Sequence, residues 1–156
     1  MILWIEDRPI EVISQIEQAR RAGYRVEVVT TPEEIQEFLE TNAIIAIIVD
    51  VMLFGKNDLK GFNTKEASIA STDSGLEVGW AIIESFLRLP TSNYRNIPIL
   101  VVSGRAYNQD QQQRLSIVEQ LGGGNIRYLE KYQMGWQNEF SAWLNGLSQQ
   151  KEKIDV

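Results

Sequence analysis

Acids, a hydroxyl and an amine recur in this sequence at one kind of place, the point where a short apolar run ends. Glu6-Asp7 follows Met1–Ile5, Asp50 follows Ile44–Val49, Ser103 follows Ile99–Val102, and Glu130-Lys131 follows Ile126–Leu129. Glu6, Asp7, Asp50, Ser103 and Lys131 brought into a single crevice would give three carboxylates, one hydroxyl and one ammonium, an oxygen-rich site with no imidazole or thiolate. Such a set suits a hard cation, and few protein ligands with retained waters suit Mg²⁺ better than Ca²⁺. Each residue alone has a plainer reading. Asp50 could be a helix N-cap, the acid pair a solvated turn, Ser103 a strand-end hydroxyl and Lys131 a surface lysine. Asp50 carries the sharpest question, because a carboxylate behind a buried strand is costly unless paired or metal-bound.

Only the elements around these residues can bring them together. The run Ile44–Val49 is uninterrupted and rich in β-branched residues, as in a strand covered on both faces. Around it the periods alternate. Strands are expected at Met1–Ile5, Arg25–Val29, Ile99–Val102 and Ile126–Leu129. The first helix is expected over Ile10–Arg21, with Ile10, Ile13 and Ile16 on one face and Val12 and Ala19 flanking it, stopped by Gly23. Thr31-Pro32-Glu33-Glu34 carries a capping box that starts a short helix to Glu40, packed through Ile35, Phe38 and Leu39. Further helices are expected over Leu76–Leu89 (Leu76, Trp80, Ile83, Leu87 inward), Asn108–Leu121, and Gly135–Ser148 (Trp136, Phe140, Trp143, Leu144, Leu147 inward). Five strands alternating with five helices predict an α/β, doubly wound parallel sheet. In the flavodoxin-like order 2-1-3-4-5, the ends of the first and third strands adjoin at the switch point, where ligands bind.

The totals exclude much else. At 156 residues the chain is expected to form one domain, 1–148, with a polar tail at 149–156. No apolar run approaches the ~20 residues of a membrane span, and the N-terminus has no basic region of a secretory signal. A cytoplasmic location is expected. There are no cysteines and no histidines, which removes disulfides, thiol catalysis, Ser-His triads and a phosphohistidine of the chain's own. A net charge of −6 argues against a broad nucleic-acid surface.

From residue 1 to about 148 the sequence resembles a response-regulator receiver domain of the chemotaxis-regulator type. The resemblance rests on Trp4-Ile5-Glu6-Asp7, Ile47-Ile48-Val49-Asp50, Gly75-Leu76-Glu77, Ile97–Ser103 and Tyr128-Leu129-Glu130-Lys131. It implies that Asp50 is the phosphoacceptor, Asp7 a direct Mg²⁺ ligand, and Glu6 a ligand acting largely through bound water. The backbone carbonyl of Met52 would complete the metal site. Ser103 would bond the phosphoryl group, Lys131 would pair with it, and Tyr128 matches the aromatic switch position. Phosphoryl transfer asks a protein for positioning and charge neutralisation and little more, which these groups can supply. Three departures stand out: Tyr132 follows the lysine where the family usually has proline, Phe54 replaces another common proline, and residues 54–72 form a long insertion.

The resulting expectation is a stand-alone receiver, phosphorylated on Asp50 by a sensor histidine kinase or phosphotransfer protein and signalling to a separate downstream protein. Too few residues follow 150 to fold as an output domain. No direct nucleic-acid or membrane contact is expected, and a homodimer stays open. The alternative is a phosphorylation-independent pseudo-receiver adaptor. A haloacid-dehalogenase-like hydrolase lacks its second acid here, since Val51-Met52 follows Asp50, and a triple-acid pocket would repel a flavin phosphate. Residues 54–72 read either as a tolerated surface loop or as a cover for the crevice. Phe54, Leu59, Phe62 and Ile69 favour the second, with Lys56, Lys60 and Lys65 able to reach an acidic partner.

Overall fold

The computed structural model describes residues 1–30, 34, 35, 38, 44–51, 78–88, 97–104, 106–121, 125–131 and 133–154. Its five strands are β1 (Ile2–Ile5), β2 (Val26–Val29), β3 (Ala46–Asp50), β4 (Ile99–Ser103) and β5 (Ile126–Glu130). All pair in parallel in the order β2-β1-β3-β4-β5, as the alternation predicts. Every residue of β1, β3 and β4 is buried, which is why these strands read as unbroken apolar runs. Edge strand β5 is less covered: Leu129 is its one buried residue, and Arg127, two residues earlier on the same face, is exposed at the rim.

Helices cover both faces, and the period of two along each strand sorts the core into two halves. Ile2, Trp4, Ala46, Ile48, Leu100, Val102 and Leu129 pack against α1 (Ile13–Arg21) and α4 (Trp136–Ile154). Leu3, Ile5, Ile47, Val49, Ile99 and Val101 pack against α2 (Val78–Arg88) and α3 (Gln109–Gln120), with Ile35 and partly buried Phe38 alongside. The α4 stripe is the expected one: Trp136, Phe140, Trp143, Leu144 and Leu147 are all buried, and the rings of Trp4 and Phe140 lie 5.6 Å apart. Gly23 follows α1 at φ +97°, a left-handed turn that costs a residue without Cβ little. Asn108 caps α3, its side-chain oxygen accepting from the Gln111 amide at 3.0 Å.

The first helix departs from its expected face. Pro9–Val12 form a 3-10 turn before α1 begins at Ile13. A turn of 3.0 residues shifts the phase of the helix that follows, so the inward face is Val12, Ile16 and Ala19. Ile10 and Ile13, placed on the core face by sequence, are 80% and 51% exposed. The last helix also outruns its apolar stripe. It continues past Ser148 to Ile154, because Gln149-Gln150-Lys151-Glu152-Lys153 are good helix formers. Of the helix expected from Pro32 to Glu40, only Glu34, Ile35 and Phe38 are described, all in helical conformation. The insertion at 54–72, Met52, Leu76 and Tyr132 lie outside the described residues. Among the described residues no helix is long and apolar enough to cross a membrane.

Candidate functional site

The β1–β3 ladder closes at Ile5↔Val49, so Glu6 and Asp50 leave the sheet side by side from adjacent strands. Ladder β4–β5 closes at Ser103↔Glu130, one residue before Lys131. Strand parity puts Glu6, Asp50 and Lys131 on the side of the sheet that faces α1 and α4. There Lys131 Nζ donates to Glu6 Oε2 at 2.8 Å and to Asp50 Oδ2 at 3.1 Å. The second Glu6 oxygen accepts from the Arg8 amide at 3.2 Å. None of Glu6, Asp50 and Lys131 is more than 6% exposed, so this is a buried charge cluster rather than a surface ion pair.

Its electrostatics are out of balance. Burial first, and the Asp50 carboxylate second, push Glu6 up to about 8, against a partly compensating pull from Lys131. Burial by itself would lower Lys131, but the attraction of Asp50 and Glu6 outweighs it and raises the lysine above its ordinary value. Glu6, half-buried Asp7 and Asp50 each present a carboxylate oxygen, and the three oxygens lie within 4.8 Å of one another. Were all three ionised, one lysine could not neutralise them, and the raised Glu6 reflects burial together with that excess. A hard divalent cation, whose oxygen ligands stand about 2.1 Å away for Mg²⁺, matches both this donor set and its excess charge. The residues present fit the Mg²⁺ that the resemblance implies, with Met52 outside what is described.

Ser103 and Tyr128 belong to the other side of the sheet by parity, facing α2 and α3. Ser103 is fully buried, and its carbonyl accepts from the Lys131 amide at 2.6 Å, which ties the ends of β4 and β5 together. Tyr128 is stacked between two rings, Tyr107 at 4.8 Å and Trp80 at 6.2 Å. Trp80 in turn donates its Nε1 to the buried Gln111 Oε1 at 2.8 Å, reaching the first turns of α3. The sequence-predicted residues thus form two groups at one sheet edge: Glu6, Asp7, Asp50 and Lys131 in the charge cluster, Ser103 and Tyr128 in the aromatic half.

The roles of three residues escaped sequence reading. Gly79, in the first turn of α2, lies so near the end of β3 that a Cβ there would stand 2.2 Å from the Asp50 carbonyl oxygen. Its amide donates to the Val51 carbonyl at 3.0 Å. The available signal was a glycine inside an otherwise apolar helical pattern, a mark of close backbone approach. Glu130 was visible as an acid ending the last strand, without a role assigned to it, and Tyr107 has no such signal because it lies between elements. Glu130 Oε1 accepts a short hydrogen bond from the Tyr107 amide.

No protein-family pattern matches the chain, and no curated protein matches it in sequence. Solved structures do match. The chain is similar to a CheY-like response regulator receiver domain protein from Methanospirillum hungatei JF-1, at 16% identity over 97% of this chain and 96% of that one, with a TM-score of 0.59. It is similar to the Francisella response regulator 1452 receiver domain, at 16% identity over 96% and 97%, TM-score 0.61. The non-phosphorylated HemR receiver domain from Leptospira biflexa matches at 19% identity over 94% and 91%, TM-score 0.61. The chain has the fold of these receiver domains.

Proposed function

We propose that this protein is a phosphorylation-dependent signalling switch whose phosphoacceptor is Asp50. The observation that carries the reading is the placement of Lys131 between Glu6 and Asp50, with Asp7 beside them, at the carboxyl edge of a sheet with receiver topology. The donor is a histidine kinase or phosphotransfer protein, since the chain has no histidine of its own. The receiver of the signal is a separate protein.

Each residue has a defined task. An Asp50 carboxylate oxygen attacks phosphorus in line. As the new P–O bond forms, the bond from phosphorus to the donor's imidazole nitrogen breaks, and the electron pair leaves with the ring. Lys131, already in contact with Asp50, pairs with an oxygen of the transferred group, and Glu6 keeps the ammonium in place. The Ser103 hydroxyl offers a hydrogen bond to another of those oxygens. Glu6, Asp7 and Asp50 would hold Mg²⁺, with the Met52 carbonyl proposed as a further ligand. When bound, the ion supplies positive charge to the transferring oxygens.

Intact-mass measurement after incubation with acetyl phosphate tests this reading. Wild type gains one phosphoryl mass only with Mg²⁺ present, and Asp50→Asn gains none. Labelling of Asp50→Asn at the wild-type rate would remove the assignment and leave a phosphorylation-independent adaptor.

A further inference from the structure

Between β4 and α3 the chain crosses from Ser103 to Asn108, and two neighbouring residues hold that crossing. At its start the Lys131 amide donates to the Ser103 carbonyl, and at its end Glu130 Oε1 accepts from the Tyr107 amide. Glu130 is also the ladder partner of Ser103. Glu130 therefore stands opposite Ser103 in the ladder and reaches, through its carboxylate, a point four residues further along the chain. The Tyr107 ring stacks on Tyr128, two residues before Glu130, and the stack continues through Trp80 to Gln111 in α3.

These ties differ in what breaking them costs. The Trp80–Gln111 bond is buried, so opening it would strand a donor and an acceptor away from water. The Glu130–Tyr107 bond joins a half-exposed side chain to an exposed residue, so water replaces either partner at once. If Ser103 moves toward a phosphoryl group on Asp50, the crossing must follow, and this is the tie that yields. We propose that Glu130 is a positioning residue for the switch. Its carboxylate latches the Tyr107 amide in the resting state, and the latch opens when Asp50 carries a phosphoryl group. The proposal rests on the reading of Asp50 as phosphoacceptor and adds what sets the resting position.

Beryllofluoride with Mg²⁺ serves as the phosphoryl probe. In wild type the Tyr107 amide is protected from hydrogen exchange without the probe and loses protection when it binds. In Glu130→Ala the free-state resonances of Tyr107 and Tyr128 move toward their probe-bound positions. Probe affinity rises about fivefold, the scale of one ordinary net hydrogen bond. Mg²⁺ affinity is unchanged, and Glu130→Gln, which keeps an acceptor oxygen, stays near wild type. A purely structural role would lower the melting temperature and leave probe affinity alone. Unchanged Tyr107 protection on probe binding, or wild-type probe affinity in Glu130→Ala, overturns the latch. Failure of wild type to bind the probe or to be labelled at Asp50 overturns the receiver reading, and the latch with it.

Discussion

At the carboxyl edge of the sheet, the side facing α1 and α4 carries Glu6, Asp50 and Lys131, buried and joined by contacts of 2.8 and 3.1 Å. The side facing α2 and α3 carries Tyr128, Glu130 and Tyr107, a stack that climbs from buried Trp80 to an exposed ring. Charges held in a dry pocket cannot shift singly, because each move leaves another charge unpaired. Stacked rings and a solvent-accessible hydrogen bond can rearrange in steps of about 1 kcal/mol each. One half is therefore suited to hold a reacting group, and the other to report on it.

The largest effect expected is on the charged half. Lys131→Ala leaves Glu6 and Asp50 facing each other without their cation, and metal-free protein should lose about 3–5 kcal/mol, the usual cost of halving a buried ion pair. Urea unfolding in EDTA reads this loss, and added Mg²⁺ should recover part of it. A loss under about 1 kcal/mol would mean the pocket admits water and the contrast with the aromatic half fails.

A pH effect on the same half comes next. The folded state holds Glu6 near 8, above its ordinary 4.5, so it binds a proton that the unfolded chain has already released between those values. That contribution is complete below about pH 4.5 and is lost as pH rises through about 8. Metal-free protein should therefore weaken toward urea as pH rises across this window, and Glu6→Gln should flatten the trend. Equal slopes in the two proteins would detach the trend from Glu6.

The aromatic half should respond least in stability. Tyr107→Ala removes the outermost, exposed ring of the stack, and is expected to cost about 0.5–1 kcal/mol by thermal or urea unfolding. Labelling of Asp50 by acetyl phosphate should stay within error of wild type, while near-ultraviolet dichroism from Trp80 and Tyr128 changes. A large drop in labelling would show that the two halves are not separable.

How much of this could be read from sequence follows the same division. Glu6, Asp50 and Lys131 were legible because each ends an apolar strand, and parallel topology gathers strand ends at one edge. The parallel doubly wound sheet was legible from alternation, and the order 2-1-3-4-5 is the flavodoxin-like one among those that alternation allows. Illegible were contacts made through a residue between elements, Tyr107 with Tyr128 and Glu130 with the Tyr107 amide. Ile10 misled because a 3.6-residue period was run back through a turn that winds at 3.0, and Ile13 because the inward face of α1 centres on Val12, Ile16 and Ala19. The end of α4 misled because the apolar stripe records packing, whereas helix propensity carried the backbone on to Ile154.

The backbone bond between the Gly79 amide and the Val51 carbonyl has a bearing on how this chain can be altered. It ties the residue after β3 to the first turn of α2, so the end of one element and the start of the other are held together. The junction is strict, since Gly79 has no room for a side chain against β3. For a protein engineer this marks Gly79 as a position to leave unchanged in any redesign of what joins β3 to α2.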